Sequence, residues 1–455
     1  MCAPQAVAGL GPRRPRRADE SADVRAAGRR GAGAPPAEAR LWSMDIKPLR
    51  GYRYSGDTRR DISPVVAPPY DQISPESQER LYAMSPHNIV RVTYPREAPD
   101  KYEGARQVLD RWLAEGVWRV DAKPAIYPYD QTYLAGERSV TRTGFIALGE
   151  VSDYSRGVVL PHERTHAGPK KDRMDLLEAT AADIGLLFML TADPDGALRS
   201  ATAPVDEPIA EARDLRGERH RLWRITDPAA IKRAQSLMAD RPVIIADGHH
   251  RYETAVAYAA HHPHAGYKLM AFFALEAPGL TILPNHRLVH SVQGFDFDDL
   301  MQTAARWFEV SPLADPMTAR LDNRTIAVLS GPDAALLRLK PSEADHIAWP
   351  RGTSPAWRGL AVSILHEALL RPLLGITDAK LDARTHVDYT ADRADAIQRA
   401  RTGACQAAFL IAPTTADELQ AVVRGGELLP QKSTHFYPKL LDGLVFHRLG
   451  ERGAA

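Results

Sequence analysis

Cysteine is almost missing from this chain: Cys2 and Cys405 are the only two in 455 residues. Two thiols build neither a disulfide framework nor a four-thiolate zinc site, so a stapled secreted scaffold is excluded and a reducing compartment is expected. Net charge is equally scarce, because 58 Lys and Arg face 57 Asp and Glu and leave +1. That balance speaks against a protein acting mainly as a polycation on nucleic acid or an anionic membrane. No apolar run reaches the roughly 18 residues a membrane span needs; runs such as Val243-Ile244-Ile245-Ala246 are strand-sized. No Walker A sequence occurs, so phosphate binding through a P-loop is excluded. There is no internal repeat. The expectation is a cytoplasmic globular protein without membrane or nucleic-acid partners, with homo-oligomerisation open.

What is present is ample apolar content, 44% of the chain, enough for two or three compact units. Residues 1–43 stand apart: 8 Arg against 4 acids, 11 Ala, 5 Gly, 5 Pro, and neither Ile nor Phe. Such a stretch cannot bury enough apolar surface to offset the entropy of ordering it. It reads as a disordered or untranslated leader ahead of Met44, and without an apolar h-region it is no secretory signal. The remainder carries −3 and divides into an expected unit over 44–300 and a second over 301–455 whose end returns to the same site.

Along the body, strand-like and helix-like segments alternate, which predicts an α/β or α+β fold with a mixed sheet. Ser74-Pro75 reads as a cap and first turn of a helix. Tyr102 to Glu115 places Tyr102, Ala105, Val108, Leu109 and Trp112 on one helical face. Strands are expected at 125–129, 145–148, 186–190, 241–246 and 268–275, a hairpin at 326–329 and 335–339, and helices at 173–182, after Gly248, and at 363–370 ahead of Pro372. Val65 to Asp71, with Pro68-Pro69, reads as a strand end and rigid loop. Tyr127, Tyr129 and Tyr133 read as core and rim, and His261, His262 and His264 as a helix end favoured by the dipole.

The most informative segment is Val243-Ile244-Ile245-Ala246-Asp247-Gly248-His249-His250-Arg251-Tyr252. A buried strand ends at Asp247, Gly248 permits a tight turn, and a helix starts at once. Its unpaired N–H groups and dipole make an anion site, Arg251 stands in the first turn where a guanidinium can grip phosphate, and Asp247 is placed to hold Mg²⁺ or a hydroxyl. The plain alternative is an N-cap aspartate beside surface histidines.

This turn resembles the Gly-x-x-Arg phosphate-binding turn of the superfamily of ParB, sulfiredoxin and the archaeal free-serine kinases. Nearly the whole chain from Met44 is similar to a widespread bacterial and archaeal family of unassigned function often labelled ParB-like, whose segments appear as Val66-Ala67-Pro68-Pro69-Tyr70-Asp71, Leu160-Pro161-His162-Glu163-Arg164-Thr165, the turn itself, Pro284-Asn285-His286-Arg287 (with Asn285 where the pattern has Thr) and Leu429-Pro430-Gln431-Lys432-Ser433-Thr434, running on to Lys439. The resemblance implies a ParB/sulfiredoxin-like core binding ATP or ADP with Mg²⁺. Gly248, His249, His250 and Arg251 would meet the phosphates, Asp247 and Glu163 would be catalytic acids or Mg²⁺ ligands, and Lys432 and Thr434 would close over the phosphates. Lys171, Arg173, His286 and Arg287 would add substrate or phosphate contacts. The activity implied is phosphoryl transfer to a small hydroxylated metabolite, such as free L-serine; the alternative is a nucleotide-dependent ParB-like switch without kinase activity.

His162-Glu163-Arg164-Thr165-His166 also matches H-E-x-x-H, the zinc metallopeptidase pattern. Pro161 before it and Gly168-Pro169 after it leave room for hardly two helical turns, and Glu178 is the nearest third ligand. Zinc hydrolysis is therefore the rival with the poorer context.

Overall fold

The structure, a computed structural model, describes residues 44–56, 61–96, 100–164 and 167–449. The expected leader over 1–43 and residues Thr165 and His166 lie outside the described residues. The body is mixed α/β, built on two sheets. The larger has nine strands in the order Val159–Leu160, Val243–Asp247, Leu187–Thr191, Tyr267–Ala274, Arg138–Glu150, Tyr127–Ala135, Arg219–Leu222, Ala210–Arg213, with Ile46–Lys47 added against Arg138–Glu150. Two of its pairings are parallel, Val243–Asp247 with Val159–Leu160 and Tyr267–Ala274 with Leu187–Thr191, and the others are antiparallel. The sheet is therefore mixed.

The second sheet has six strands, all antiparallel, in the order Phe308–Pro312, Asp333–Leu339, Thr325–Ser330, Ala407–Ile411, His286–Val289, Val387–Thr390. It takes His286–Val289 from before the boundary expected near residue 300. A two-stranded ribbon, Thr281–Leu283 with His435–Tyr437, carries the end of the chain back beside the first sheet. One apolar cluster joins Phe188 and Phe273 of the larger sheet, Phe436 of the ribbon and Phe409 of the smaller sheet. Burying such side chains contributes about 1.5–3 kcal/mol each.

Local sequence explains most elements. Val243 to Ala246 is apolar at every position and buried, as a strand covered on both faces requires. Ser74 accepts from the Ser77 N–H at 3.2 Å with Pro75 opening the helix. Lys101–Ala114 buries Ala105, Leu109 and Trp112 behind an Asp100 cap. The hairpin of Thr325–Ser330 and Asp333–Leu339 forms, and Tyr127, Tyr129 and Tyr133 are buried. Three expectations move. The strand end expected at Val65 is instead a 3-10 turn over Ser63–Val65, since Pro64 opens that turn. The helix expected at 173–182 spans Ala167–Thr180. The helix expected to stop before Pro372 instead continues through a π-turn at Leu365–Leu370 into Arg371–Leu374. The wider turn shifts the carbonyl that the proline ring would otherwise meet.

Candidate functional site

The strand Val243–Asp247 delivers Asp247 to the rim of a polar cleft of about 120 Å³. Gly248 then turns the chain at φ +101° into the helix His249–His261. A side chain at 248 would be strained there, and its Cβ would stand 2.8 Å from Leu187 Cδ2. Four segments far apart in sequence meet around the cleft: Tyr70–Gln72, His162–Arg164, Ala246–Arg251 and the stretch 431–439, with Asn285 beside them.

Asp247 is the electrostatic centre. Lys439 Nζ stands 2.7 Å from its Oδ1 and Arg251 Nη2 stands 2.7 Å from its Oδ2. Burial pushes the Asp247 carboxyl up, but the charges of Lys439 and Arg251 outweigh it and hold the group well below the usual carboxylate range. Arg251 also donates to the Leu186 carbonyl.

Glu163 accepts from the Ser433 N–H at 3.0 Å and, more loosely, from the Thr434 N–H and hydroxyl at 3.4 Å. Burial works against its charge, yet the hydrogen bond and charge of His162, with Lys432 and His249, bring its carboxyl down to about 2. A carboxylate so weakly basic is a poor proton acceptor. Its geometry is that of an anchor for the 431–434 loop.

His162 has both ring nitrogens engaged. Nδ1 lies 2.5 Å from the Ile245 carbonyl, to which it donates, and Nε2 lies 2.8 Å from the Thr434 hydroxyl. The His162 N–H donates to His249 Nε2 at 3.2 Å. Burial, then the neighbouring His162, push His249 down to about 3, so it is neutral. His435, also on the cleft, is held down to about 3, chiefly by burial.

Lys432 is a free cation of the cleft: its side chain makes no ion pair or hydrogen bond among the described residues. Its backbone sits at φ +55°, a conformation that costs a non-glycine residue about 1 kcal/mol or more. Two buried arginines hold this loop from behind. Arg287 donates to the Gln431 carbonyl at 3.0 Å, and Arg142 to the carbonyls of Tyr437 and Pro438 at 2.9 and 2.7 Å.

The cleft thus gathers Asp247, Gly248, His249, His250, Arg251, Glu163, Lys432 and Thr434. The remaining expected contacts stand elsewhere. Lys171 is exposed and pairs with Asp175 at 2.7 Å, because its position on the helix Ala167–Thr180 turns it to solvent. His286 and Arg287 are buried in the smaller sheet, where His286 Nδ1 accepts from the Ile411 N–H at 3.3 Å; Arg287 holds the loop behind the cleft, and neither residue lines it. Arg173 pairs with Asp172, donates to the Thr93 carbonyl at 2.8 Å and lies 3.9 Å over the Tyr70 ring. It faces a neighbouring cavity.

Asp247 does not fit the expected Mg²⁺ role, because both its oxygens are ion-paired, and Glu163 has one carboxylate oxygen already engaged by the loop. No group of three or more His, Cys, Asp or Glu able to hold a metal ion occurs among the described residues. The zinc reading fails on His162, whose two nitrogens are spent within the protein, and on residues 161–164, which are not helical.

Sequence reasoning missed Tyr70, Asp71, Arg164, His435 and Lys439 as cleft residues. Lys439 had a signal, a cation in a segment with a hydroxyl-rich start. Tyr70 and Asp71 came from a loop read for its backbone, Arg164 from a motif weighed for zinc, and His435 from between the residues its segment was read for. Asp71 makes no side-chain hydrogen bond among the described residues, unlike Asp247 and Glu163. No helix among the described residues is long and apolar enough to cross a membrane.

Residues 46–363 match a family described as protein of unknown function (DUF1015). No curated protein matches the sequence. Among solved structures, a conserved hypothetical protein from Pyrococcus furiosus is similar at 12% identity and TM-score 0.33, covering 63% of this chain and 90% of its own. A free serine kinase in complex with AMP is similar at 11% identity and TM-score 0.33, over 62% and 84%. SbnI from Staphylococcus aureus, truncated at its C-terminus, is similar at 12% identity and TM-score 0.34, over 65% and 85%. Likeness this distant carries nothing about chemistry, which has to rest on the residues themselves.

Proposed function

This chain belongs to the DUF1015 family of proteins of unknown function, and for it we propose a nucleotide-dependent phosphotransferase whose phosphates sit in the polar cleft and whose acceptor is a small hydroxylated metabolite. The observation that carries the reading is the meeting of Lys432, Lys439 and the helix start at His249 in one cleft with an ionised Asp247. N–H groups at a helix start and an unpaired ammonium are what phosphate oxygens require. The donor would be ATP or ADP, and Mg²⁺ would arrive with the nucleotide, as that ion commonly does, held mostly by phosphates and water.

In this reading Asp247 holds Lys439 and Arg251 in place, and Lys432 neutralises the transferring group. The acceptor oxygen forms a bond to the terminal phosphorus as the bond to the bridging oxygen breaks, and the nucleotide leaves one phosphate shorter. The hydroxyl proton passes to Asp71, the lining acid with a free carboxylate. ParB/sulfiredoxin-like architecture and free L-serine as acceptor belong to this proposal too.

A thermal-shift screen of ATP, ADP and other nucleotides with Mg²⁺ tests the site, since a ligand bound to the folded state raises its melting point by mass action. The shift is expected in the native chain and lost in both Asp247→Asn and Arg251→Ala. Transfer is tested by nucleotide consumption with a panel of hydroxylated amino acids; Asp71→Asn is expected to lower kcat about 10²–10⁴-fold and leave the shift. A retained shift with no acceptor raising turnover would instead mark a nucleotide-binding switch.

A further inference from the structure

Behind Tyr70 and Arg251, which it shares with the cleft, lies a second cavity of about 70 Å³. That is room for a ligand of a few heavy atoms and not for a nucleoside. Asp442 faces it. The residue is 4% exposed, and its Oδ1 is buried without a hydrogen-bond partner among the described residues. An orphan buried carboxylate oxygen is costly and uncommon in a native fold. The residue is not loosely placed, because its N–H and carbonyl both pair with Ala67, at 2.8 and 3.2 Å.

Around that oxygen the cavity is lined by three cations, Arg173, Arg251 and Lys268. Each has a partner and donors to spare. Lys268 uses two of its three N–H groups, on Asp183 and the Gly185 carbonyl. Arg251 spends two of five, on Leu186 and Asp247, and Arg173 three, on Asp172 and Thr93. A purely anionic ligand would set its charge against Asp442, and a simple amine would sit among three cations. A small molecule with both charges meets each requirement, its ammonium on Asp442 and its carboxylate on the spare guanidinium and ammonium protons.

We infer that the cavity walled by Asp442, Arg173 and Lys268 is a subsite for a small zwitterion, a free α-amino acid, opening beside the phosphate cleft. Binding there stands independently of phosphoryl transfer; only the use of the amino acid as acceptor rests on the function proposed above. Burial pushes the Asp442 carboxyl up to about 7 against the pull of Arg251, Lys268 and Arg173, which fits a group that gains from a cationic ligand.

Calorimetric titration of the full chain without nucleotide tests this, with glycine and L-serine as zwitterions, ethanolamine as the amine half and glycerate as the carboxylate half. One zwitterion is expected to bind at least tenfold more tightly than either half. Asp442→Asn, which keeps the shape, is expected to weaken it at least tenfold, and Leu177→Trp, which narrows the cavity without touching charge, to do the same. No binding by either amino acid, equal binding by a half-molecule, or full binding in both variants would overturn the inference. The nucleotide thermal shift, measured in the same variants, reports separately on the phosphate site and confirms that they fold.

Discussion

Lys439 and Asp247 lie 192 residues apart in the chain, and their ammonium and carboxylate meet at 2.7 Å on the cleft. The side chains are 15% and 18% exposed, so removing one partner leaves the other charge poorly solvated. Lys439→Met is expected to cost about 1–3 kcal/mol in urea unfolding. The same variant should weaken any nucleotide thermal shift about tenfold or more in ligand concentration.

Glu163 anchors the loop that carries Lys432, and it is too weak a base to take a proton. Glu163→Gln is therefore expected to cost about 1–2 kcal/mol of stability and to raise KM for the nucleotide. It should leave kcat within about tenfold of the native value, whereas loss of a general base costs about 10²–10⁴. Steady-state kinetics on the two constants separates the roles.

Gly248→Ala tests the turn itself. The substitution asks a non-glycine residue to hold φ +101° and places its Cβ 2.8 Å from Leu187 Cδ2 and 3.1 Å from Arg251 Nε. A loss of about 2 kcal/mol or more is expected. Displacement of Arg251 should also abolish the nucleotide shift, seen by melting with and without ligand.

Buried and half-buried imidazoles, among them His249, His286, His366 and His435, set the acid limb of stability. His249 and His435 are held down to about 3 and His286 to about 4, in each case chiefly by burial. Each stays neutral in the folded chain while the unfolded chain takes a proton near pH 6.5, so stability is lost as pH falls from about 6.5 toward 4. Each contributes up to about 2 kcal/mol of that loss at pH 5. Urea midpoints across this range should fall, and less steeply in His249→Asn.

Asp442 works with the opposite sign. Its folded value of about 7 lies above the ordinary aspartate value of 3.8, so the folded state holds a proton that the unfolded state has released. Asp71, Arg173, Arg251 and Lys268 face it, and only ionisation of Asp442 itself is removed by Asp442→Asn. The variant is expected to gain stability over the native chain as pH rises from about 4 to 7, by a few kcal/mol at most. Paired urea titrations at pH 5 and 8 read the difference.

Much of the cleft was legible in the sequence because local rules act there. An all-apolar run ending in Asp-Gly, followed by an alanine-rich helix, dictates a strand, a left-handed turn and a helix start, and those positions form the cleft's floor. The hydroxyl- and lysine-containing stretch after Pro430 was legible by composition. What was not legible depends on pairing across the chain. Nothing near Tyr70 says that its loop stands opposite Asp247, and nothing near Asp442 says that three cations surround it. His286 and Arg287 look like surface binders by residue type, yet the strand they sit on is central in the smaller sheet, between Ala407–Ile411 and Val387–Thr390. Lys171 had the right charge on the wrong side of its helix.

The ribbon of Thr281–Leu283 with His435–Tyr437 has an evolutionary corollary. Because it stitches the last working residues to a strand made more than a hundred positions earlier, neither half of the gene could be traded alone for a foreign module and keep its chemistry.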